Sequence, residues 1–372
     1  MSYNNMATKG NDRSNAKISD ADIMRILSRK GRVKVFSESY RAFSAGKSNI
    51  TGNEERLFLC ECYDYKQKEL IQSPLNYTGG KYKLLPQILP HFPQDIDRFV
   101  DLFCGGGNVG INVPCNRVIF NDNNELLRYM FGTFKNLDKQ VTFETIDAII
   151  EKYGLSNTEK YGYDFYGCNS AEGLASYNSS RYLKLRDDFN HHTNLEYNYY
   201  VTLYVLIVYA FNNQIRFNRK GEFNLPVGKR DFNKKMREKL STFIDRLKSG
   251  DYSFASHDFR KLPTDDWNEN TFVYADPPYL ITCATYNEQD GWNETLEKEL
   301  LTYLDNLNER GIRFALSNVL HSKGKENKLL LDWIDRNVDR YRVIYLDYNY
   351  ANSNYQTKDK TSKAEEVLIV NY

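Results

Sequence analysis

The chain has 372 residues, with 50 Lys and Arg against 49 Asp and Glu, and a net charge of +1. That balance excludes a uniformly basic nucleic-acid coat protein, although it leaves room for a local basic surface. No run of about 18 apolar residues is present, which excludes a membrane-spanning helix. The polar N-terminus has no apolar signal core, so we expect a cytoplasmic protein.

The cysteines and histidines show no pattern that would hold a metal ion. None of the six cysteines sits in a paired C-x2-C framework, and the five histidines are scattered. Cys60 and Cys62 are one residue apart, which favours two thiols on the same side of a strand. We therefore predict no metal site.

Composition and periodicity divide the chain into three parts. Residues 1–73 are predicted to be an extension of unknown role, with a helix over 16–29 and a short strand over 56–63. Residues 74–132 and 251–372 alternate strands and helices, as one α/β domain interrupted by an insert does. The insert, residues 133–250, is helical in pattern and rich in Asn and Tyr.

The predicted elements of the α/β part follow from apolar periodicity and from turn residues. In chain order they are a helix stripe over Leu84–Leu89, strands over Arg98–Phe103 and Arg117–Phe120, a helix over Leu126–Phe134, strands over Ser253–Phe259 and Thr271–Ala275, a helix over Glu294–Leu307, a strand over Arg313–Ser317, a helix over Asn327–Asn337, and strands over Arg342–Tyr348 and Glu366–Asn371.

A glycine-rich turn follows the first of these strands. Gly105, Gly106 and Gly107 are consecutive, so a ligand can approach the backbone closely and the backbone N–H groups can hold an anionic group. The pattern G-x-G-x-x-G is absent, and Asp101 precedes the loop. An acid there repels a pyrophosphate and attracts a cation, which favours a ligand with an ammonium group, such as a methionine moiety. A flexible strand–helix turn is the alternative.

Asp122 ends the next strand, about twenty residues after Asp101. An acid at this point of a βαβ unit can accept hydrogen bonds from both hydroxyls of a ribose. Asn121 and Asn123 flank it, so an Asx-turn at the strand end is the alternative. Taken with the glycine-rich loop, Asp122 favours the ribose interpretation.

The most specific motif is Asp276-Pro277-Pro278-Tyr279, directly after the apolar strand Phe272–Ala275. Two prolines fix the backbone just beyond the carboxyl end of a strand, where open α/β sheets bind ligands. The carboxylate and the Pro277 carbonyl can accept hydrogen bonds from an exocyclic amino group, and the tyrosine can stack on the ring that bears it. A rigid turn without chemistry is the alternative.

A basic stretch late in the insert predicts a nucleic-acid surface. From Asn213 to Lys239, nine basic residues stand against three acids, a local charge of +6. Lys and Arg can neutralise phosphates, and Asn, Gln and Arg can pair with purine edges in the major groove. Arg219–Glu222 has the composition of a hairpin turn. The alternative is a solvated basic loop.

These motifs, with Tyr-Thr-Gly-Gly-Lys at 77–81 upstream, resemble the Dam-like DNA adenine-N6 methyltransferases. Their order matches the α arrangement of that family, and the resemblance covers about Pro74 to Tyr372. It implies an α/β fold with a Rossmann-like methyltransferase sheet, helices on both faces, and a mainly helical target-recognition insert with a β-hairpin. In that arrangement 74–132 and 251–372 form the catalytic cofactor-binding domain, and 133–250 reads DNA.

The resemblance also implies S-adenosylmethionine as the cofactor. The residues that it assigns to the cofactor are Tyr77, Gly80, Lys81, Asp101, Phe103, Gly105, Gly106, Gly107, Asp122, Asp258, Phe259 and Asp276. Asp258 and Phe259 resemble the adenine-binding motif, with a plain strand end as the alternative. The residues that it assigns to DNA are Phe211, Asn212, Gln214, Arg216, Asn218, Arg219, Lys220, Pro226, Lys229 and Arg230. The catalytic residues that it implies are Asp276, Pro277, Pro278 and Tyr279.

The predicted reaction is methyl transfer to N6 of an adenine in duplex DNA. Because a duplex hides N6, the base must be flipped out of the stack, at a cost of roughly a few kcal/mol. Tyr279 would then stack on it, while Asp276 and the Pro277 carbonyl accept the N6 hydrogens and free the nitrogen lone pair. Positioning and electrostatics would supply most of the acceleration.

Two other interpretations stay open on the sequence. Asp-Pro-Pro-Tyr also occurs in enzymes that methylate amino groups of RNA or of protein glutamine, and a DNA-binding regulator could keep the fold without catalysis. The likeness implies double-stranded DNA as the partner and the setting of a type II restriction–modification system, with a cognate endonuclease acting on the same site. GATC is the recognition sequence that family likeness suggests, while Asn212, Gln214 and Arg216 could read another purine-rich site.

Overall fold

The structure is a computed structural model of the chain. It describes residues 70–77, 79–168, 172–192, 197–282, 291–347 and 364–372. All of them belong to one compact unit, Cys60–Tyr372. The helix predicted over 16–29 and the strand predicted over 56–63 lie outside these residues. In the part of the chain that is described, no helix is both long and apolar enough to cross a membrane.

An eight-stranded sheet organises the described residues. Its strands are β1 (Arg98–Asp101), β2 (Arg117–Asn121), β3 (Asp251–Ala255), β4 (Thr271–Ala275), β5 (Arg313–Ser322), β6 (Lys325–Glu326), β7 (Arg342–Leu346) and β8 (Glu365–Val370). They lie in the order β3-β2-β1-β4-β5-β8-β7, and β6 pairs with β5 at the side. Strands β1 to β5 are parallel, whereas β8 runs antiparallel to both of its neighbours.

The alternation of side chains along the central strands explains why both faces of the sheet are covered. Phe99 and Phe272 pack into one buried cluster, and Val100 and Val273 pack into another. Since successive side chains of a strand point to opposite faces, an apolar strand without polar positions must be buried on both sides. The predicted sheet with helices on both faces is confirmed.

Side chains cap the starts of several helices. They are α1 (Leu85–Ile88), α2 (Glu125–Asn136), α3 (Lys139–Tyr153), α4 (Thr158–Tyr161), α5 (Ala175–Asn190), α6 (Tyr197–Tyr209), α7 (Lys234–Ser249), α8 (Glu294–Glu309) and α9 (Lys328–Arg336). The side chains of Asn124, Asp138, Asn233 and Asn293 accept backbone N–H groups at the starts of α2, α3, α7 and α8. Helices α2 to α7 lie between β2 and β3, so the stretch is mainly helical, as predicted.

Several predicted boundaries were wrong. Strand β1 ends at Asp101 rather than Phe103, because the chain turns there toward the glycine-rich loop. Strand β3 ends at Ala255, and Phe259–Lys261 forms a 3-10 helix instead of continuing the strand. Strand β5 runs on to Ser322. Apolar periodicity marks the middle of an element more reliably than its ends.

The predicted hairpin of the insert is confirmed. Phe217 pairs with Phe223 in an antiparallel bridge, and at its base Ala210 pairs with Val227. At the tip, the Gly221 N–H donates to the Asn218 carbonyl at 2.9 Å. Gly221 has φ +77°, a left-handed conformation that favours glycine at the turn.

The sheet topology fixes where a ligand would bind. Strands β2 and β4 flank β1 and are parallel to it, so the carboxyl ends of β1, β2 and β4 lie along one edge. The chain order reverses between β1 and β4, which makes this a topological switch point. Open α/β sheets bind ligands in the crevice outside such a point.

Candidate active site

Asp101 lies buried at the carboxyl end of β1. Its Oδ2 accepts the Gly110 N–H at 3.0 Å. Gly110 leaves no room for a side chain, because a Cβ there would lie 2.2 Å from Cε1 of Phe120. Burial raises the pKa of Asp101 to about 8, and the negative charges of Asp276 and Asp122 push it in the same direction. A cation beside this carboxylate would stabilise its charged form.

The predicted turn at Tyr77 meets the glycine-rich loop directly. A Cβ on Gly105 would lie 2.7 Å from Cδ1 of Tyr77, and one on Gly106 would lie 3.2 Å from its Cβ. Gly105 and Gly107 have φ of +47° and +74°, in the left-handed region. Glycine at Gly105 therefore serves both the backbone conformation and the close approach of the Tyr77 ring.

Asp122 holds the same loop from the end of β2. Its Oδ2 accepts the Gly105 N–H at 3.0 Å, and its Oδ1 accepts the Asn124 N–H at 2.9 Å. The second bond is the Asx-turn that the sequence left open. Burial raises the pKa of Asp122. A carboxylate has about four acceptor positions, so two bonds leave capacity for two ribose hydroxyls.

The loop differs in one respect from the sequence interpretation. The Gly105 N–H donates to Asp122, and the Gly107 N–H donates to the Cys104 carbonyl at 2.7 Å. Two of the three glycine N–H groups are therefore used inside the protein and are not offered to an anion. This agrees better with a ligand whose facing group is cationic.

The Asp-Pro-Pro-Tyr motif leaves the end of β4 and meets the distant Lys81. The ammonium of Lys81 lies 2.8 Å from Oδ1 of Asp276, and it also donates to the Gly79 carbonyl at 2.9 Å. Lys81 is 4% exposed and the Asp276 side chain is 17% exposed, so the pair is largely shielded from water. Burial raises the pKa of Asp276, and Lys81 opposes that shift.

Tyr279 completes this buried group. Its hydroxyl lies 3.0 Å from Oδ1 of Asp276, and the Lys81 ammonium lies 4.9 Å from the centre of its ring. Pro277 is buried and Pro278 is exposed, so the two prolines carry the chain out of the sheet. The ammonium attracts the π face of the ring, which helps to fix the plane in which Tyr279 lies.

The sequence analysis missed one member of the group, Glu366 on β8. It is buried, its Oε1 lies 3.1 Å from the Tyr279 hydroxyl, and it lies 3.8 Å from the Lys81 ammonium. The signal that could have indicated Glu366 is its place in the otherwise apolar strand Glu365–Val370. An acid that is buried in such a strand requires a partner. Lys81, Asp276, Tyr279 and Glu366 are called the DPPY cluster below.

The predicted adenine-binding residues lie beside the loop but differ in surroundings. Phe103 and Phe259 pack with ring centres 5.6 Å apart. The Asp258 side chain caps the 3-10 helix by accepting the Arg260 N–H at 3.0 Å, and its Oδ1 also accepts Arg260 Nε at 2.8 Å. The carboxylate of Asp258 is thus already engaged, which sets it apart from Asp101 and Asp122.

The described residues fit the cofactor that the resemblance implies. Asp101 offers a buried carboxylate to a cationic group, Asp122 has spare acceptor positions, and Phe103 and Phe259 form an apolar wall. Glycine at Gly105 lets the ring of Tyr77 close on the loop, because a Cβ there would lie 2.7 Å from Cδ1 of Tyr77. The remaining member of the upstream turn, Gly80, donates its N–H to the Tyr77 carbonyl at 3.1 Å and shapes that turn.

Most of the residues predicted to contact DNA lie exposed on the hairpin and its flanks. The exposed ones are Phe211, Asn212, Arg216, Arg219, Lys220, Pro226, Lys229 and Arg230. Gln214 is half-buried. Asn218 has a structural task, because its Oδ1 accepts the N–H groups of Lys220 and Glu222 at 2.9 and 3.0 Å. Its amide is thereby tied to the turn.

The basic stretch is not one continuous surface. Arg237 pairs with Asp147 at 2.5 Å and with Glu159 at 2.7 Å, so it ties α7 to α3 and α4. Arg230 and Lys235 lie close enough to Lys239 to lower its pKa further after the larger effect of burial. The local charge of +6 therefore overstates the charge available to DNA by at least one residue.

A hydrogen bond joins the base of the hairpin to the turn before β1. Asn76, the residue before Tyr77, donates from Nδ2 to the Asn212 carbonyl at 2.9 Å. Asn212 has φ +56°, a conformation that Asn tolerates better than most side chains. The base of the hairpin thus touches the turn that carries Tyr77 and Lys81.

Fold and site together define an α/β methyltransferase-type domain, with a glycine-rich loop after β1, an acid after β2 and Asp-Pro-Pro-Tyr after β4 at one edge of the sheet. The sequence profile of a family described as D12 class N6 adenine-specific DNA methyltransferase matches residues 77–358. The chain belongs to this family.

Similar proteins carry related names. The chain is 42% identical over 312 residues to "Modification methylase StsI" of Streptococcus sanguinis, covering 82% of this chain and 43% of that protein. It is 38% identical over 314 residues to "Type II methyltransferase M.FokI" of Planomicrobium okeanokoites, covering 83% and 44%. It is 28% identical over 266 residues to "DNA adenine methylase" of Escherichia coli K12, covering 70% and 84%. The chain spans less than half the length of the first two.

Proposed function

We propose that this chain transfers a methyl group from S-adenosylmethionine to N6 of a specific adenine in duplex DNA, after the base has been flipped out. The observation that carries the proposal is the DPPY cluster, in which the ammonium of Lys81 lies 2.8 Å from Oδ1 of Asp276 at the carboxyl end of β4. Family membership and the names of the relatives support the same chemistry.

The chain's own groups would act on the adenine in three ways. Asp276 and the Pro277 carbonyl accept the two N6 hydrogens, which makes the nitrogen lone pair available. Lys81 lowers the pKa of Asp276 against the larger effect of burial, because a nearby cation favours the charged form of an acid. Tyr279 would supply the ring on which the flipped base stacks, and the Lys81 ammonium lies 4.9 Å from the centre of that ring.

The cofactor supplies the methyl group from its sulfonium when it is bound. Asp101 would hold its cationic methionine end, and Asp122 would accept hydrogen bonds from its ribose hydroxyls. Tyr77, Gly80, Lys81 and the loop Gly105–Gly107 would enclose it. These assignments account for the burial of Asp101, whose pKa of about 8 would fall when a cation lies beside it.

The hairpin would provide the DNA contacts. Arg219 and Lys220 are exposed at its tip, where they can meet phosphates, and Arg216 and Gln214 lie nearer its base, where purine edges could be read. In a restriction–modification system, a site-specific methyltransferase would work beside an endonuclease for the same sequence. We therefore extend the proposal to a restriction–modification setting, which the names of the relatives support.

The direct test offers labelled S-adenosylmethionine to the full chain with duplex DNA, RNA or a protein extract. We expect label in DNA, at N6 of adenine within one short sequence. Label in RNA or protein alone would show that the substrate is RNA or protein and not DNA. DNA binding that needs no cofactor, without methyl transfer, would identify a regulator. Sequencing the methylated DNA for modified adenines would give the recognition sequence.

A further inference from the structure

Three aromatic rings meet beside the glycine-rich loop. Trp292 packs on Phe103 at 5.6 Å between ring centres with an interplanar angle of 86°, and on Phe259 at 6.0 Å. Phe103 and Phe259 contact each other at 5.6 Å, so the three rings form a triangle. Trp292 and Phe103 are only partly buried, so part of the triangle is accessible.

A buried carboxylate holds the indole of Trp292 in place. Glu297, in the first turn of α8, has no exposed surface, and its Oε2 accepts the indole N–H of Trp292 at 2.5 Å. Its Oε1 accepts the side-chain amides of Asn318 at 3.0 Å and of Asn327 at 3.1 Å. All three donors are neutral, so the acid is stabilised by hydrogen bonds rather than by an opposite charge.

This arrangement is more than a packed core requires. An indole at a partly open position could satisfy its N–H with water, at no cost in buried polar groups. Here instead the carboxylate links β5, through Asn318, to the start of α9, where Asn327 caps the helix by accepting the Leu330 N–H at 3.2 Å. Three elements of the fold therefore fix the plane of one ring that faces the predicted cofactor residues.

We infer that Trp292 is a further binding residue for the adenine ring of the cofactor, and that Glu297 is the residue that positions it. The inference rests on the proposed function, since it deepens the same site. A purine is flat and apolar on its faces, and aromatic rings at 5–6 Å to one another offer it edge and face contacts. Asp258, whose carboxylate is engaged by Arg260, is less suited to that task.

The test is a titration of the full chain with S-adenosylhomocysteine, followed by calorimetry and by tryptophan emission. We expect Trp292→Ala to weaken binding about tenfold, in line with the loss of one aromatic contact. Trp292→Phe should keep the affinity within about threefold, because it keeps a ring, while it abolishes the emission change on binding. Unchanged affinity in Trp292→Ala with a persistent emission change would overturn the inference.

The chain offers a matched control. Trp333 is also an indole held by a carboxylate, with its N–H 3.1 Å from both oxygens of Asp305, but it packs on Tyr341. Trp333→Phe should leave both the affinity and the emission change in place. Loss of the emission change in this variant instead would show that the signal comes from elsewhere and would contradict the inference.

A double-mutant cycle separates positioning by Glu297 from a general loss of structure. Glu297→Gln should weaken binding of S-adenosylhomocysteine in the wild-type background, and it should have no further effect in the Trp292→Ala background. DNA affinity should stay unchanged in both. Equal losses in the two backgrounds would overturn the positioning role. If the wild-type chain bound no S-adenosylhomocysteine, the proposed function itself would fail, which is a different outcome from binding without dependence on Trp292.

Discussion

The ammonium of Lys81 lies 2.8 Å from Oδ1 of Asp276. This buried ion pair joins the glycine-containing turn that precedes β1 to the Asp-Pro-Pro-Tyr motif that follows β4. Burial disfavours the charged form of a carboxylate, and a cationic partner opposes that effect. Because Lys81 also faces the ring of Tyr279, one side chain controls both the charge of Asp276 and the setting of the predicted stacking platform.

Replacing Lys81 by Met should lower the rate and change its pH dependence. Burial raises the pKa of Asp276 and Lys81 lowers it, so removal of Lys81 moves that pKa further up. The acid limb of the rate profile should then move to higher pH, with a loss of about 100-fold near neutral pH and a smaller loss at pH 9. Single-turnover methylation rates measured across a range of pH test both the rate loss and the shift of the acid limb.

Lys83→Met is the control, because Lys83 stands two residues away and is exposed. It should leave both the rate and the profile as in the wild type. An acid limb at the same pH in the Lys81 and Lys83 variants would contradict the role given to Lys81.

The contributions of the ring and of the hydroxyl of Tyr279 can be tested separately. Tyr279→Phe removes the group that lies 3.0 Å from Asp276 and 3.1 Å from Glu366 but keeps the ring, so we expect a rate loss of about tenfold with little change in DNA affinity. Tyr279→Ala also removes the platform and should lose about 100-fold or more. Measuring rate and affinity for both variants checks this, and equal losses would argue against stacking.

The part of this site that can be predicted from the sequence is the part whose residues stand at the ends of neighbouring parallel strands. Asp101 ends a strand, and Asp122 and Asp276 each follow one. Parallel strands bring such residues to one edge, so their proximity could be predicted. The proximity of Glu366 to these residues could not be predicted, because its strand runs antiparallel and its partners come from two other segments. The ion pair of Lys81 likewise depends on tertiary folding, and only the motif resemblance indicated that Lys81 belongs to the site.

We expect the ionised form of Asp101 to lower the stability of the fold while it favours binding of a cationic ligand. Its pKa is raised to about 8 from the usual 3.8, so between these values the folded chain holds a proton that the unfolded chain releases. Stability therefore falls as pH rises through this range, and the loss is complete above about pH 8. Asp101→Asn cannot ionise, so its melting temperature should exceed that of the wild type by about 2 °C or more at pH 8.5, and by less at pH 5.

The same Asp101→Asn variant should bind S-adenosylmethionine at least about tenfold more weakly, because a neutral amide attracts a cationic group less than a carboxylate does. Differential scanning fluorimetry and calorimetry measure the two effects. A melting temperature that tracks the wild type at every pH would show that Asp101 is already ionised in the folded chain.

The hairpin shows where composition misleads. The residue types from Asn213 to Lys239 predict a basic surface, but a charge count cannot distinguish Arg219, which is exposed, from Arg237, which pairs with Asp147 and Glu159. Asn218 is likewise a residue type that reads bases, and here it builds the turn. Turn chemistry and ion pairing within the insert are tertiary facts that local patterns do not contain.

Arg219→Ala and Lys220→Ala should each weaken DNA binding and reduce the slope of log affinity against log salt by about 0.9. Arg237→Met should lower the melting temperature and leave that slope unchanged, because its charge is neutralised within the insert. Binding isotherms at several salt concentrations separate the two. A slope change in Arg237→Met and none in the tip variants would place the DNA on a different face.

The central claim concerns Asp276, and one substitution tests it most directly. Asp276→Asn keeps the size of the side chain but replaces an acceptor by an amide donor, so we expect single-turnover methyl transfer to duplex DNA to fall by about 1000-fold or more while DNA affinity is kept. Asp265→Asn, at an exposed position before β4, should behave as the wild type. Transfer by Asp276→Asn at a rate near that of Asp265→Asn would contradict the account.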